Sequence, residues 1–252
     1  MAFSIVVLVK QTPDLNAVRV DKSSGKPLLG DQLVLSSADA NAVEAALQLK
    51  EAHGGDITVV TAGPASVKDV VQRTLAMGAD KGIIIPIDNV NAIDTLSLAR
   101  AIVPVIQEIG FDLILTGQNS DDYESGQVGA QVAELLGIAQ VSWVTKLETD
   151  GVTLTMERDT EDGKQGVVAS TPLLVMASDG LNEPRYPSLK GIMAAKKKPV
   201  ETVAAPDISP SNVSWSEPRA QGKSAGGIIV QGKPATEAVA ELVAWLKTNK
   251  LV

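Results

Sequence analysis

The stretch ITVVTAGPASVKDVVQRTLAMGADKGIIIPI, residues 57–87, reads as strand, turn, helix, turn and strand. Residues 57–61 and 83–87 are short runs dominated by Ile, Val and Thr, which pack well on a pleated surface. Between them, residues 66–77 carry apolar side chains at helical spacing, and Gly78 stops the helix. A strand that crosses through one helix to the next strand forms a parallel, right-handed unit. The same rhythm runs outward on both sides. Upstream lie a strand over 4–9, a long loop and a helix over 39–53 that meets Gly54-Gly55. Downstream lie a helix over 94–109, a strand over 113–115 and a helix over 125–136, each helix followed by glycine. The pattern predicts an α/β fold, a doubly wound and mostly parallel sheet.

After Gly137 the rhythm changes. Residues 140–148, 152–159 and 164–170 read as consecutive strands joined at Asp150-Gly151 and Asp162-Gly163, which are hairpin signals. Residues 173–176 return to the sheet. The α/β nucleotide-binding domain is thus expected over 1–198, with this β-hairpin region added. Residues 199–224 collect Pro, Ser, Glu and Asp without periodicity and read as a linker. Residues 225–252 read as a C-terminal arm, with a strand over 226–230 and a helix over 236–248 that aligns Val239, Leu242, Val243 and Leu246 on one face.

Composition narrows the function. The 252 residues are 44% hydrophobic and 21% charged, as in an ordinary globular protein, and only 3% aromatic. A net charge of −8, without basic stripes or interleaved aromatics, argues against nucleic acid. There is no cysteine, which removes thiol chemistry and cysteine-ligated clusters. His53, the single histidine, sits at a predicted helix end and reads as a cap or a solvated side chain. No catalytic triad or metal cluster can be assembled, so neither a catalytic residue nor a metal site is expected. Trp143, Trp215 and Trp245 read as core or interface packing. Met1 leads directly into an apolar strand, and no run reaches the ~18 apolar residues of a membrane span. No membrane insertion is expected, and the location reads as cytoplasmic; a processed mitochondrial matrix protein would look the same.

Two segments carry the functional signal. In LNEPRYPSLKGIMAAKKK, residues 181–198, Pro184 and Pro187 stiffen the backbone, Ser188 can cap a short helix, and the lysines suit that helix's C-terminal end. The segment reads either as a docking loop or as a surface turn before a solvated helix. In GQNSDDYESGQVG, residues 117–129, a strand end opens into a helix. Open parallel sheets bind ligands beyond the carboxyl ends of their strands, where strand order reverses, and helix N-termini offer N–H groups to phosphate. Ser125, Gly126 and Gly129 could admit one; Asp121, Asp122 and Glu124 would repel it or face ribose hydroxyls. On the residues alone, nucleotide binding and a plain capped helix both remain.

The segment over 181–198 resembles the signature of the electron-transfer flavoprotein β subunit. So do Val7-Leu8-Val9-Lys10-Gln11, residues 42–51, Gly63-Pro64 and residues 76–80, and only residues 200–222 match weakly. The resemblance implies a Rossmann-like fold of the adenine-nucleotide α-hydrolase type and an electron carrier rather than an enzyme. It implies a heterodimer with an α subunit that holds most of the FAD, and AMP bound structurally by the β subunit. Its partners would be acyl-CoA dehydrogenases of fatty acid β-oxidation or other flavin dehydrogenases as donors, and a quinone oxidoreductase or similar acceptor in electron transport. Carried over, the AMP positions are Gly117, Gln118, Asn119, Ser120, Asp121, Asp122, Tyr123, Glu124, Ser125, Gly126, Gln127 and Val128. Leu8, Ala62 and the helix entry Ser36, Ser37, Ala38 and Asp39 complete that set. The docking positions are Arg185, Tyr186, Pro187, Ser188, Leu189, Lys190, Gly191, Ile192, Met193 and Ala194, with Leu189 as apolar anchor. Asp159 would help orient the mobile flavin domain, and the C-terminal arm would reach the α subunit.

The chain departs from the family's pattern at two places. Ser36-Ser37-Ala38 replaces Asn-Pro-aromatic, which removes an aromatic expected near the flavin. The loop also lacks the Gly-Asp-Thr of the electron-bifurcating branch, and bulky Tyr123 would crowd a second diphosphate, so the resemblance favours AMP. The alternatives are a bifurcating flavoprotein with a second FAD in this subunit and a stand-alone adenine-nucleotide-binding module of the universal-stress type. The docking loop and the arm would serve no purpose in the latter.

Overall fold

Strand β1 (Phe3–Leu8) is apolar on both faces: Phe3, Ile5 and Val7 enter one core and Val6 and Leu8 the other. A strand of this kind must be covered by helices on both sides. The computed structural model, which describes residues 2–208, 210–214, 216–220 and 228–252, places β1 in the middle of an open nine-stranded sheet. To one side lie β6 (Gly55–Gly63) and β7 (Lys81–Pro86), to the other β8 (Leu113–Gly117) and β12 (Leu173–Ala177), all parallel. The chain moves outward from β1 through β6 to β7, then returns to add β8 on the opposite side. The switch point therefore falls between β1 and β8.

Helices α1 (Ser37–His53) and α2 (Lys68–Met77) cover one face; α3 (Thr95–Ile109) and α4 (Val128–Leu136) cover the other. The α/β, doubly wound architecture is the expected one. The helix expected over 125–136 begins three residues later, at Val128. Glu124 and Gly126 have φ of 48° and 60°, a left-handed backbone that a right-handed helix cannot include. Helix α5 (Leu189–Ala195) lies on α2. A Cβ at Gly191 would come within 2.4 Å of the Ala76 carbonyl oxygen, so glycine sets how closely the two helices approach.

The long loop before α1 contains two small antiparallel ladders, β2 (Gln11–Pro13) with β5 (Leu33–Leu35) and β3 (Arg19–Val20) with β4 (Pro27–Leu28). The expected hairpins appear as β9 (Ala139–Thr149), β10 (Thr153–Thr160) and β11 (Gly163–Ser170). Strand β9 runs parallel to β12 and is interrupted by a bulge around Trp143, whose φ is 60°. Beyond the bulge, Leu154 and Met156 of β10 join the core over α1.

The segment read as a linker opens with β13 (Val200–Thr202), which adds a parallel edge strand to β7, and Val203 and Ile208 pack on the second core. Three residues are too few for an alternation to register in sequence. Residues 228–230 form no strand. Gly226, Gly227 and Trp215 lie outside the described residues. Helix α6 (Ala235–Thr248) buries no side chain.

Candidate functional site

The carboxyl ends of β1 and β8 meet the start of α1. Asp39, in its first turn, accepts the Lys10 N–H at 2.7 Å with one carboxylate oxygen and the Gly117 N–H at 2.9 Å with the other. Burial pushes the Asp39 carboxyl up to about 7, against the pull of those two donors and of the Lys10 charge. Gly117 is required by this contact, because a Cβ there would lie 2.6 Å from Asp39 Oδ1 and 2.7 Å from its backbone nitrogen. One carboxylate thus ties together the two strands that flank the switch point.

The loop after β8 folds back over this junction. Its Asp121 accepts the Ser37 N–H at 2.9 Å and the Ser37 hydroxyl at 2.5 Å, and the Asp121 N–H donates to Ser36 Oγ at 3.3 Å. Asp121 therefore caps α1 from another part of the chain, in place of the absent cap from Ser36 itself. Asp122 forms an ion pair with Lys10 at 2.6 Å, and the same ammonium lies 4.7 Å from the centre of the Tyr123 ring. Gln118 accepts the Trp143 N–H at 2.7 Å through its side-chain oxygen. Arg158 bonds the Ser142 carbonyl at 3.0 Å from the other side, so the strained bulge is held from both directions.

The structure brings most of the expected nucleotide positions to this one edge. Gly117, Gln118, Asn119, Ser120, Asp121, Asp122, Tyr123, Glu124, Ser125, Gly126, Gln127 and Val128 form the loop that leads into α4. Ser36, Ser37, Ala38 and Asp39 face it at the start of α1, and Leu8 and Ala62 lie on β1 and β6. Ser36, Ala38 and Leu8 are buried, so they shape the floor. Of the three acids expected to repel an anion, Asp121 and Asp122 are turned to Ser37 and Lys10, and Glu124 is exposed. Lys10 was missed as a site residue; its signal was a cation two residues beyond the end of the first apolar strand.

The docking positions divide into two groups. Arg185 turns inward, to Glu44 and Glu51 of α1. Ser188 caps α5 by accepting the Gly191 N–H at 3.0 Å. Tyr186, Leu189 and Met193 turn outward, 88%, 77% and 66% exposed, with Ile192, Lys190 and Ala194 around them. Pro187 and Ile192 border a cleft of about 360 Å³ against Gln72, Arg73 and Ala76 of α2. Lys198, just beyond α5, donates its ammonium to the Leu75 and Ala79 carbonyls at 2.9 and 2.5 Å. Sequence reasoning missed Asn41, Glu44 and Glu51 as anchors; their position along one face of α1 was the available sign.

The remaining positions lie apart. Asp159 is exposed on β10, opposite Lys164, which pairs with Glu157 at 2.7 Å. His53 packs its ring edge-on against Phe3, with centroids 6.0 Å apart. Trp143 and Trp245 are both partly exposed. No group of His, Asp or Glu able to hold a metal ion occurs among the described residues, and no described helix is long and apolar enough to cross a membrane.

Residues 29–208 match the family model described as the electron transfer flavoprotein domain. The chain is similar to the electron transfer flavoprotein subunit beta of Bacillus subtilis (strain 168), 38% identical over 257 residues that cover 99% of each chain. The corresponding protein of Clostridium acetobutylicum is 36% identical over 261 residues, covering 99% of this chain and 100% of its own. That of Syntrophomonas wolfei is 38% identical over 251 residues, covering 99% of this chain and 98% of its own.

Proposed function

The chain belongs to the electron transfer flavoprotein family as a β subunit, and on that premise we propose that it is half of a heterodimeric electron carrier rather than an enzyme. Its α subunit holds most of the FAD, and this chain binds AMP at the carboxyl ends of β1 and β8. The carrier takes electrons from acyl-CoA or other flavin dehydrogenases and delivers them to a quinone oxidoreductase or similar acceptor. The observation that carries this reading is the loop over 185–194: apolar side chains largely presented to solvent on a backbone held at Arg185 and capped at Ser188. A rigid apolar anchor within a polar rim is what a small, transient interface needs for specificity.

The AMP assignment is supported by the donor set. The first N–H groups of α4 have no intrahelical acceptor. Gly126, with φ of 60°, lets the loop close against Asn119 and Gln118, and the hydroxyls of Ser120 and Ser125 are within the same loop. Lys10 neutralises Asp122, and Asp121 is turned to the donors of Ser37, which lowers the negative charge that a phosphate would meet. Lys10 is already committed to Asp122 and the Tyr123 ring, which favours a monophosphate over the diphosphate of a second FAD. FAD, where bound, supplies the one-electron chemistry; this chain's residues dock the donor and shape the cofactor's surroundings. Asp159, exposed on β10, and the unburied face of α6 fit contacts to the flavin domain and to the α subunit.

The test is to purify the heterodimer, denature it and quantify released nucleotides. Equal FAD and AMP is the expected result. Two FAD without AMP would make this a bifurcating flavoprotein, and neither nucleotide would leave only an α/β module.

A further inference from the structure

We infer that Glu44, a residue of α1 that is only 5% exposed, is the positioning residue of the docking loop and acts through Arg185. The inference rests on the docking role proposed above. Glu44 accepts three bonds from Arg185: the Nε at 2.8 Å, the Nη2 at 2.8 Å and the backbone N–H at 3.1 Å. Glu51, two turns further along α1, accepts from Nη1 at 2.5 Å and from Nη2 at 3.1 Å. Four guanidinium N–H bonds are therefore spent within the chain, of the five that arginine has. Arg185 has little left to offer a partner protein, although it stands among residues expected to dock.

What the pair does is fix the backbone. Because Glu44 holds both the N–H and the side chain of Arg185, it sets the direction in which the chain leaves toward Tyr186. Asn41 and Asn182 add a reciprocal tie, donating to each other's backbone carbonyls at 2.7 and 3.0 Å. From Tyr186 onward Pro187 stiffens the chain until the Ser188 cap starts α5. A loop already held in its docking shape binds without an ordering penalty, whereas a loop in that shape a tenth of the time binds about tenfold more weakly. Glu44 so tunes affinity for the electron donor from a place the donor does not reach.

The experiment uses the FAD-loaded heterodimer, with a medium-chain acyl-CoA dehydrogenase and its substrate as the probe donor. Four forms are compared: the natural chain, Glu44→Gln, Arg185→Lys and Leu189→Ala. Both Glu44→Gln and Arg185→Lys should raise the half-saturating heterodimer concentration about tenfold while the maximal rate and flavin content hold. Amide hydrogen exchange at residues 185–194 should accelerate in both, and exchange in β1 and β8 should not. Unchanged exchange in the loop would overturn the inference without need of any donor. An unchanged half-saturation, with Leu189→Ala raising it, would overturn it while leaving the docking reading intact. Loss of flavin or of maximal rate would overturn it by making Glu44 a residue of the general fold. A Leu189→Ala form indistinguishable from the natural chain would remove the docking reading and this inference with it.

Discussion

Oδ1 of Asp39 lies 2.9 Å from the backbone nitrogen of Gly117, so the first turn of α1 is fastened to the end of β8. The carboxyl that makes this bond titrates near 7 when folded, against an ordinary value of 3.8, because burial disfavours its charge. The folded chain therefore holds this proton more tightly than the unfolded chain does. The stabilisation is fully present below about pH 4 and is lost as pH rises through about 7, amounting to at most about 4 kcal/mol. Unfolding midpoints measured from pH 5 to pH 8 should fall with rising pH in the natural protein and lose most of that slope in Asp39→Asn. Equal slopes would assign the dependence elsewhere.

Gly117→Ala should destabilise by crowding both the backbone of α1 and the Asp39 carboxyl. Its Cβ would meet Oδ1 and N of Asp39 and the Ala38 carbonyl carbon, all within 2.8 Å. Two of the three are backbone atoms of α1, which cannot swing aside as a side chain can, so α1 must move, at a cost of about 1–3 kcal/mol. Calorimetry should show a midpoint lower by about 2–10 °C. A midpoint within error of the natural protein would mean that α1 retreats freely.

Lys10→Gln would leave Asp122 without its ion pair and remove the ammonium over Tyr123. The added negative charge beside the loop over 117–128 should weaken binding of AMP by about tenfold or more. Titration calorimetry on nucleotide-stripped protein reads this directly, and high salt should narrow the gap. An unaltered affinity would place the phosphate away from Lys10.

The fold was legible because its two periods are clean. Phe3, Ile5 and Val7 against Val6 and Leu8 can only be a strand with two cores. The place of the nucleotide loop, between a strand and the start of a helix, followed from that alternation, whereas the pairing of β1 with β8 at the switch point came only with the structure. What each residue does there was not legible. Asp121 looked like a threat to an anion, yet it caps α1, a role that exists only once residues 37 and 121 are neighbours. Ser125 looked like the first residue of a helix; the left-handed turn at Gly126 depends on the loop folding back onto Asn119. Arg185 looked like a contact because it sits among contacts, and its true partners are 141 and 134 positions away in the chain.

Helix α6 should be dispensable for the α/β fold and necessary for assembly. Val239, Leu242, Val243 and Trp245 stand 40–58% exposed on it, an apolar surface that nothing in the chain covers among the described residues. A chain ending at residue 232 should keep the hydrogen-exchange protection of β1 and β8 and bind the α subunit at least about tenfold more weakly, the loss of one or two well-buried side chains. Full affinity would mean that the α subunit grips another face.

Helix α1 has one further property. Near its start, Asp39 is bonded to two strand ends; from Asn41 to Glu51 it holds the loop that faces the outside. These two sets of bonds share one rigid rod, and an α-helix turns about 100° with each residue. Adding or deleting a single residue between Asp39 and Glu44 would keep the composition of α1 but turn Glu44 and Glu51 away from Arg185. The number of residues in that short span is therefore as much a part of the loop's anchoring as the two glutamates are.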